Sequence, residues 1–399
     1  MKQLTGVIKN YAWGSVESIP GLLNTEVTGE PQAEYWLGAH AAGPSVLDGD
    51  VTLDRLVAEH PEVLGEASRA AFGDRLPFLL KVLAADQPLS LQAHPSRAQA
   101  EAGFAAENAA GIPVGSPQRT YADDWPKPEM IVALTPMDAL CGFRDPRETA
   151  FLFDALGPIP GLEQVIGPLT ARTGDAGLAE VFLDVLSADE SRTQLVTEVV
   201  AAAVNHVDDE GEVGLFARTA VELDEFHPSS PGILAALLMN RVRLEPGQAI
   251  FLPEGNMHAY LRGTGVEIMA NSDNVLRGGL TQKRIDVDAL VQVVDFAAAP
   301  VQVLTAQPES PGEDSPGVSR FDTPAPEFSM WQIDATGGQS VMLPGVESAR
   351  ILLLVAGHAA VATSEETVEL VQGKAVFVPA GEQVQINGNC RAFLAAAGV

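Results

Sequence analysis

LEPGQAIFLPEGNMHAYLRGTGVEIMANSDNVLRGGLTQKR, Leu244 to Arg284, is the stretch on which the reading of the fold turns. Gln248 to Leu252 is a short apolar run, Pro253, Glu254, Gly255 and Asn256 form a turn cluster, and Ala259 to Leu261 resumes the apolar character, which together read as a β-hairpin. His258 stands just past the turn. Glu267 follows inside the apolar context VEIMA, then Asn271, Ser272, Asp273, Asn274, Arg277 and Lys283. So many polar groups set between short strands fit the mouth of a β-barrel better than a plain core.

Two further stretches supply partners for His258. In LPFLLKVLAADQPLSLQAHPSR, the run Ser90 to His94 alternates. As a strand it points Ser90, Gln92 and His94 to one face and Leu91 and Ala93 to the other. In YADDWPKPEMIVALTP, Glu129 stands directly before the apolar run Met130 to Leu134. Gln92, His94, Glu129 and His258 make a nitrogen and oxygen set suited to zinc or another borderline divalent metal.

Together with YAWGS (Tyr11 to Ser15) and AEYWLGAH (Ala33 to His40), these stretches closely resemble the type I mannose-6-phosphate isomerases, zinc enzymes of the cupin superfamily. The resemblance runs in order from Tyr11 to Lys283, about two thirds of the chain. It implies one Zn2+ per chain held by Gln92, His94, Glu129 and His258, and interconversion of mannose 6-phosphate and fructose 6-phosphate through a cis-enediol. Two neutral imidazoles, an amide and one carboxylate leave a divalent ion with a formal charge of about +1, which suits an anionic intermediate. Arg277 matches the arginine that the family treats as its active-site residue, and guanidinium suits oxyanion contacts. Glu267 is a candidate base if burial raises its pKa; the alternative is that it fixes a neighbouring cation. For the substrate, Lys81, Arg97, Lys127 and Lys283 are candidate phosphate cations, and Ser90, Tyr260 and Trp13 candidate pocket-lining groups. Lys81 interrupts the apolar run Leu76 to Leu83, where a lysine is costly unless it faces a polar cavity. Arg97 departs from the family's usual lysine. Trp36 reads as packing and His40 as structural. Two competing readings are a cupin oxygenase, because two His and a carboxylate also hold Fe(II), and a non-catalytic sugar-phosphate-binding cupin.

Composition bounds the class. A chain of 399 residues exceeds what one hydrophobic core usually serves. With 24 Lys+Arg against 53 Asp+Glu, the net charge of −29 argues against nucleic acid and anionic membrane surfaces as partners. A small-molecule sugar phosphate is therefore the expected partner, bound where basic residues gather, to a monomer or weak homo-oligomer. Cys141 and Cys390 are too few and too far apart for a disulfide scaffold, and no apolar run is long enough to span a bilayer, so a cytoplasmic location is expected.

The expected fold class is mainly β with an α-helical insertion: two cupin-like jelly-roll barrels plus a helical domain. Residues 1–144 with 228–304 form the catalytic cupin domain in this reading. Asp145, Pro146 and Glu148 open a helical insertion over 145–227, in which Leu178, Val181, Phe182, Val185 and Leu186 keep amphipathic spacing. The stretch 305–326, rich in Pro, Ser, Gly and acids, reads as a linker. Residues 327–399 form a C-terminal cupin-like domain. LEPGQAIFLPEGNMH recurs there as LVQGKAVFVPAGEQV: Leu244, Gly247, Ala249, Phe251, Pro253 and Gly255 return as Leu370, Gly373, Ala375, Phe377, Pro379 and Gly381, an offset of 126. Val384 replaces His258, so this copy lacks that ligand.

Overall fold

The computed structural model describes residues 1–172, 174–186, 190–309, 317–338 and 340–399. Strand content is 32% and helix content 29%, so the class is mixed rather than mainly β. Among the described residues neither sheet closes into a barrel; there are an 11-stranded and a 10-stranded open sheet. No helix of the described residues is long and apolar enough to cross a membrane.

The first sheet carries the site, and side-chain alternation explains its layers. Phe78–Ala85, Glu129–Ala133, Gln248–Leu252 and His258–Ala270 pair antiparallel at its centre. Leu80, Val82, Met130, Val132, Val266 and Ile268 face the second sheet, meeting Phe328, Ile351, Leu353, Phe377 and Phe393 in a shared core. Leu83, Ala85, Ile131, Ala133 and Ile250 point the other way, into the first sheet's own interior. By the same parity Lys81, Glu129 and Glu267 point into that interior.

Helices cover the remaining side. Among the described residues every element between Met137–Phe143 and Met239–Leu244 is helical. The cap read from sequence forms: Asp145 accepts from Arg147 N–H and Glu148 N–H at the start of Pro146–Ala155. Asp175–Val185 buries Leu178, Val181, Phe182 and Val185 against Leu91, Ala93, Ala259 and Leu261. Thus the apolar residues that alternate with the expected ligands pack on the helices. The chain does not return to strand at Pro228: Gly232–Leu237 is a helix buried on all sides, and strand resumes at Met239. A helix buried all round has no amphipathic period to announce it.

Two segments at the expected boundaries join the second sheet. Lys2–Thr5 pairs with Ala375–Val378 and buries Leu4 in the shared core, so the first strand of the N-terminal segment extends the second sheet. Of the expected linker 305–326, residues 310–316 lie outside the described residues. Gln307–Pro308 and Val318–Phe321 are paired strands continuing through Ser329–Ala335 into the second sheet.

The internal repeat is visible in the backbone. Gly247 and Gly373 have φ +89° and +82°, and Gly255 and Gly381 +78° and +84°. These are left-handed turn conformations that only glycine adopts readily. Register extends the equivalence beyond sequence similarity: Leu252 stands opposite Glu129, and Val378, its counterpart at offset 126, stands opposite Arg350. Arg350 therefore occupies in the second unit the position of Glu129 in the first. It is fully buried, donating to the carbonyls of Pro344 (3.1 Å) and Glu382, the latter being the counterpart of Asn256. Replacing it by Ala (Arg350→Ala) is expected to cost about 3 kcal/mol in urea unfolding, from the lost packing and two carbonyls left unpaired.

Candidate metal centre and substrate pocket

Three of the four expected ligands converge. His94 and His258 are 0% exposed and Glu129 2%. Their donor atoms lie within 4.8 Å of one another, with Glu129 Oε2 at 3.2 Å from His94 Nε2 and 3.4 Å from His258 Nε2. None of these three atoms makes a hydrogen bond. Each ring is fixed from behind: His94 Nδ1–H donates to the Asn274 carbonyl at 2.7 Å and His258 Nδ1–H to that of Asn256 at 3.0 Å. A carbonyl can only accept, so Nδ1 carries the proton and the Nε2 lone pairs face Glu129. Three orphaned buried acceptors converging on one point are unfavourable alone and fit a divalent cation. Burial pushes His94 down to about 4, so its ring is neutral, as a ligand must be. Burial alone would raise the Glu129 carboxyl; the Lys127 charge beside it outweighs burial and holds the carboxyl well below the usual range. Gln92 is the cross-strand partner of both His258 and Arg277, next to the same point.

Lys81, Glu267 and Tyr260 form a second buried group beside the first. Lys81 Nζ is 3.0 Å from Glu267 Oε2 and 3.8 Å from Glu34 Oε1. Tyr260 O–H donates to Glu267 Oε1 at 2.9 Å, and its ring centroid lies 6.2 Å from that of His258. Both oxygens of Glu267 are thus engaged, one by the Lys81 ammonium and one by the Tyr260 hydroxyl. Burial raises the Glu267 carboxyl, with Lys81 opposing. Burial works against the Lys81 ammonium, but Glu267, Glu34 and Glu129 overcome it and hold its pKa raised. Lys81 is no edge-strand lysine, since its strand is paired on both sides.

A cavity of about 440 Å3 contains Arg277 and Lys283 together with Arg119, Thr120 and Arg284. Arg119 and Arg284 are paired with Glu107 and Asp286, whereas Arg277 and Lys283 have no carboxylate within salt-bridge distance among the described residues. Their mutual repulsion lowers the Lys283 pKa, and burial lowers that of Arg277. Two uncompensated cations facing a cavity suit a dianion. Another cavity, about 610 Å3, borders Cys141 and Asn256 and carries Glu254, Asp295 and Asp322, the wrong sign for phosphate.

The other expected residues divide. Lys127 Nζ sits 2.9 Å from Glu129 Oε1, inside the centre. Trp13 stacks on Tyr11 at 5.7 Å and packs near Tyr260 and Leu83. Ser90 is half-buried, just before the strand Leu91–Ala93. Arg97 pairs with Glu327 at 3.1 Å and lies over the Trp125 ring, tying the start of its helix to a segment beside the second sheet. Sequence reasoning missed Glu34, which accepts from Trp36 Nε1 at 2.7 Å. An acid opening an apolar strand, the signal used for Glu129, was present in AEYWL. His40 pairs with Asp273 at 3.2 Å and packs edge-on against Trp36.

Comparison with known proteins agrees with this geometry. The phosphomannose isomerase type I catalytic domain family matches residues 1–146. The chain is 37% identical over 398 residues to the mannose-6-phosphate isomerase of Escherichia coli (strain K12), covering 98% of each. A solved structure of a zinc-bound mannose 6-phosphate isomerase matches at TM-score 0.89 and 34% identity, over 100% of this chain and 99% of that one. The apo form from Salmonella typhimurium matches at 0.88 and 33%, with the same coverage.

Proposed function

Since the chain belongs to the type I phosphomannose isomerase family, we propose that it interconverts D-mannose 6-phosphate and D-fructose 6-phosphate, with one zinc ion held by Gln92, His94, Glu129 and His258. The observation that carries this reading is the convergence of two imidazole lone pairs and a carboxylate oxygen, all buried and without hydrogen bonds.

The isomerisation moves a proton between C2 and C1 while O1 and O2 exchange carbonyl and hydroxyl roles. Zinc, when bound, supplies a Lewis acid that steadies the enediolate charge. The chain's own residues orient the substrate and hold its charge. Arg277, directly across from Gln92, and Lys283 in the same cavity hold anionic oxygens of the substrate. Lys81 adds a fixed positive charge whose place is set by Glu267 and Glu34, and Tyr260 locks the Glu267 carboxylate. Asn274 and Asn256 keep the two imidazoles in the tautomer with Nε2 unprotonated.

The second unit's chemistry supports the reading of one zinc per chain. Val384 takes the place of His258, and the Arg350 guanidinium stands where the carboxylate would be. A buried cation at that position repels a metal. Metal analysis of the purified chain is expected to give one zinc, unchanged in Arg350→Ala.

The decisive experiment is a coupled assay of mannose 6-phosphate conversion, run before and after chelation and again after zinc is restored. Activity that chelation removes and zinc restores supports the reading. Folded, zinc-loaded protein with no turnover would sink it and bring forward the binding-only reading; oxygen uptake with Fe(II) would favour the oxygenase.

A further inference from the structure

Asn274 is fully buried, and its contacts join two parts of the site that are remote in sequence. Its carbonyl accepts from His94 Nδ1–H at 2.7 Å. Its side-chain Oδ1 accepts from the backbone N–H of Ala122 at 2.8 Å and of Asp123 at 3.3 Å. Its Nδ2 donates to the carbonyls of Asp123 and Trp125, both at 2.8 Å, and to Asp123 Oδ1 at 3.2 Å. The side-chain amide is therefore saturated by the 122–125 segment. That segment runs directly into Lys127 and Glu129. Downstream, Asn274 leads within three residues to Arg277.

We propose that Asn274 is a positioning residue for the metal centre: by clamping the 122–125 segment, its side chain holds its own carbonyl where it fixes the His94 tautomer, and so ties the His94 ligand to the Lys127–Glu129 arm. The carbonyl is present in any residue, so the specificity lies in the amide. Only a side chain with both an acceptor for two N–H groups and a donor for two carbonyls satisfies this segment. A group oriented through a ligand's second ring nitrogen characteristically tunes metal affinity by about 10- to 100-fold. Two neighbouring bonds brace the same segment, Ser272 Oγ–H donating to Asp123 Oδ1 at 2.7 Å and Asp273 N–H to Asp123 Oδ2 at 2.8 Å, while Asn274 N–H donates to Ser272 Oγ at 3.2 Å. These bonds would keep the segment near its place without the amide, so Asn274→Ala is a change of position rather than of fold.

The inference rests on the reading of His94 as a zinc ligand, and the experiment separates the two. Apo-protein is titrated with zinc against a chromophoric chelator, for the wild type, Asn274→Ala and the near-isosteric Asn274→Asp. Both variants are expected to bind zinc about 10- to 100-fold more weakly. Asp fails to rescue because it faces two carbonyls and the Asp123 carboxylate with no donor. Circular dichroism of the apo-proteins checks folding, and if Asn274→Ala does not fold, Asn274→Asp carries the test. Wild-type zinc affinity in a folded variant overturns the inference. Absence of zinc uptake by the wild type instead overturns the metal reading on which it stands.

Discussion

His258→Ala is expected to abolish zinc-dependent turnover, lowering it by at least about a thousandfold at zinc concentrations that saturate the wild type. The ring is fully buried, is aimed by the Asn256 carbonyl, and contributes one of the three converging acceptor atoms. Alanine removes a ligand and leaves Glu129 and His94 to hold a metal with Gln92 alone. The effect on stability separates this role from a packing role. Without metal, the wild type carries a buried Nε2 with no partner, a cost of about 1–3 kcal/mol that the variant lacks and that offsets part of the cavity it creates. Zinc stabilises the folded wild type by mass action, and the variant should lose that increment. Thermal unfolding with and without zinc therefore gives a large shift in the wild type and little in His258→Ala. A variant that keeps wild-type turnover, or the full zinc-induced shift, would remove His258 from the site.

Much of this site was legible because the expected ligands lie on or beside strands, where a period of two states which residues share a face. Gln92 and His94 alternate with Leu91 and Ala93, and those two do pack in the helical core while His94 meets Glu129. A helix start was equally plain where the cap is chemical, at Asp145 before Pro146. What stayed hidden depends on tertiary direction. Nothing in the sequence around Arg97 announces its pairing with Glu327, 230 residues away. Nor does local sequence reveal that Glu267 is already held by Lys81 and Tyr260, contacts spanning 186 and 7 residues. The Arg350 equivalence was invisible for a related reason: its strand shares no motif with Glu129–Ala133, and only the register against the repeated strands exposes it. Composition at 305–326 does not announce the pairing of Gln307–Pro308 with Val318–Phe321, because proline and acids are compatible with paired strands at a sheet edge, where missing or solvated donors cost little.

Lys81→Met is expected to produce the other large effect, on both stability and turnover. The substitution keeps the length of the aliphatic stem and deletes the charge, which leaves Glu267 and Glu34 in the interior without their shared cation. Breaking a buried pair from one side costs about 3–5 kcal/mol. The sign of the pH dependence follows from Glu267. Burial already raises its carboxyl and Lys81 opposes that rise, so the variant's carboxyl moves higher still. A carboxyl raised in the folded state binds its proton more tightly there than in the unfolded chain. The associated stability is present below the unfolded carboxyl pKa and lost as pH rises through the folded one. The deficit of Lys81→Met relative to wild type is therefore greatest at neutral pH and shrinks on acidification. Adding Glu267→Gln should recover most of the stability at neutral pH, because an uncharged amide needs no counter-ion and still accepts from Tyr260. Turnover should not recover, since the fixed positive charge beside the enediolate is gone; a loss on the order of a hundredfold is expected in both variants, with zinc content unchanged. Urea unfolding across pH and a metal assay test these points together. If Lys81→Met matched the wild type in stability at neutral pH, or its deficit were the same at every pH, the Lys81–Glu267 pair would not be the element that holds this wall of the site.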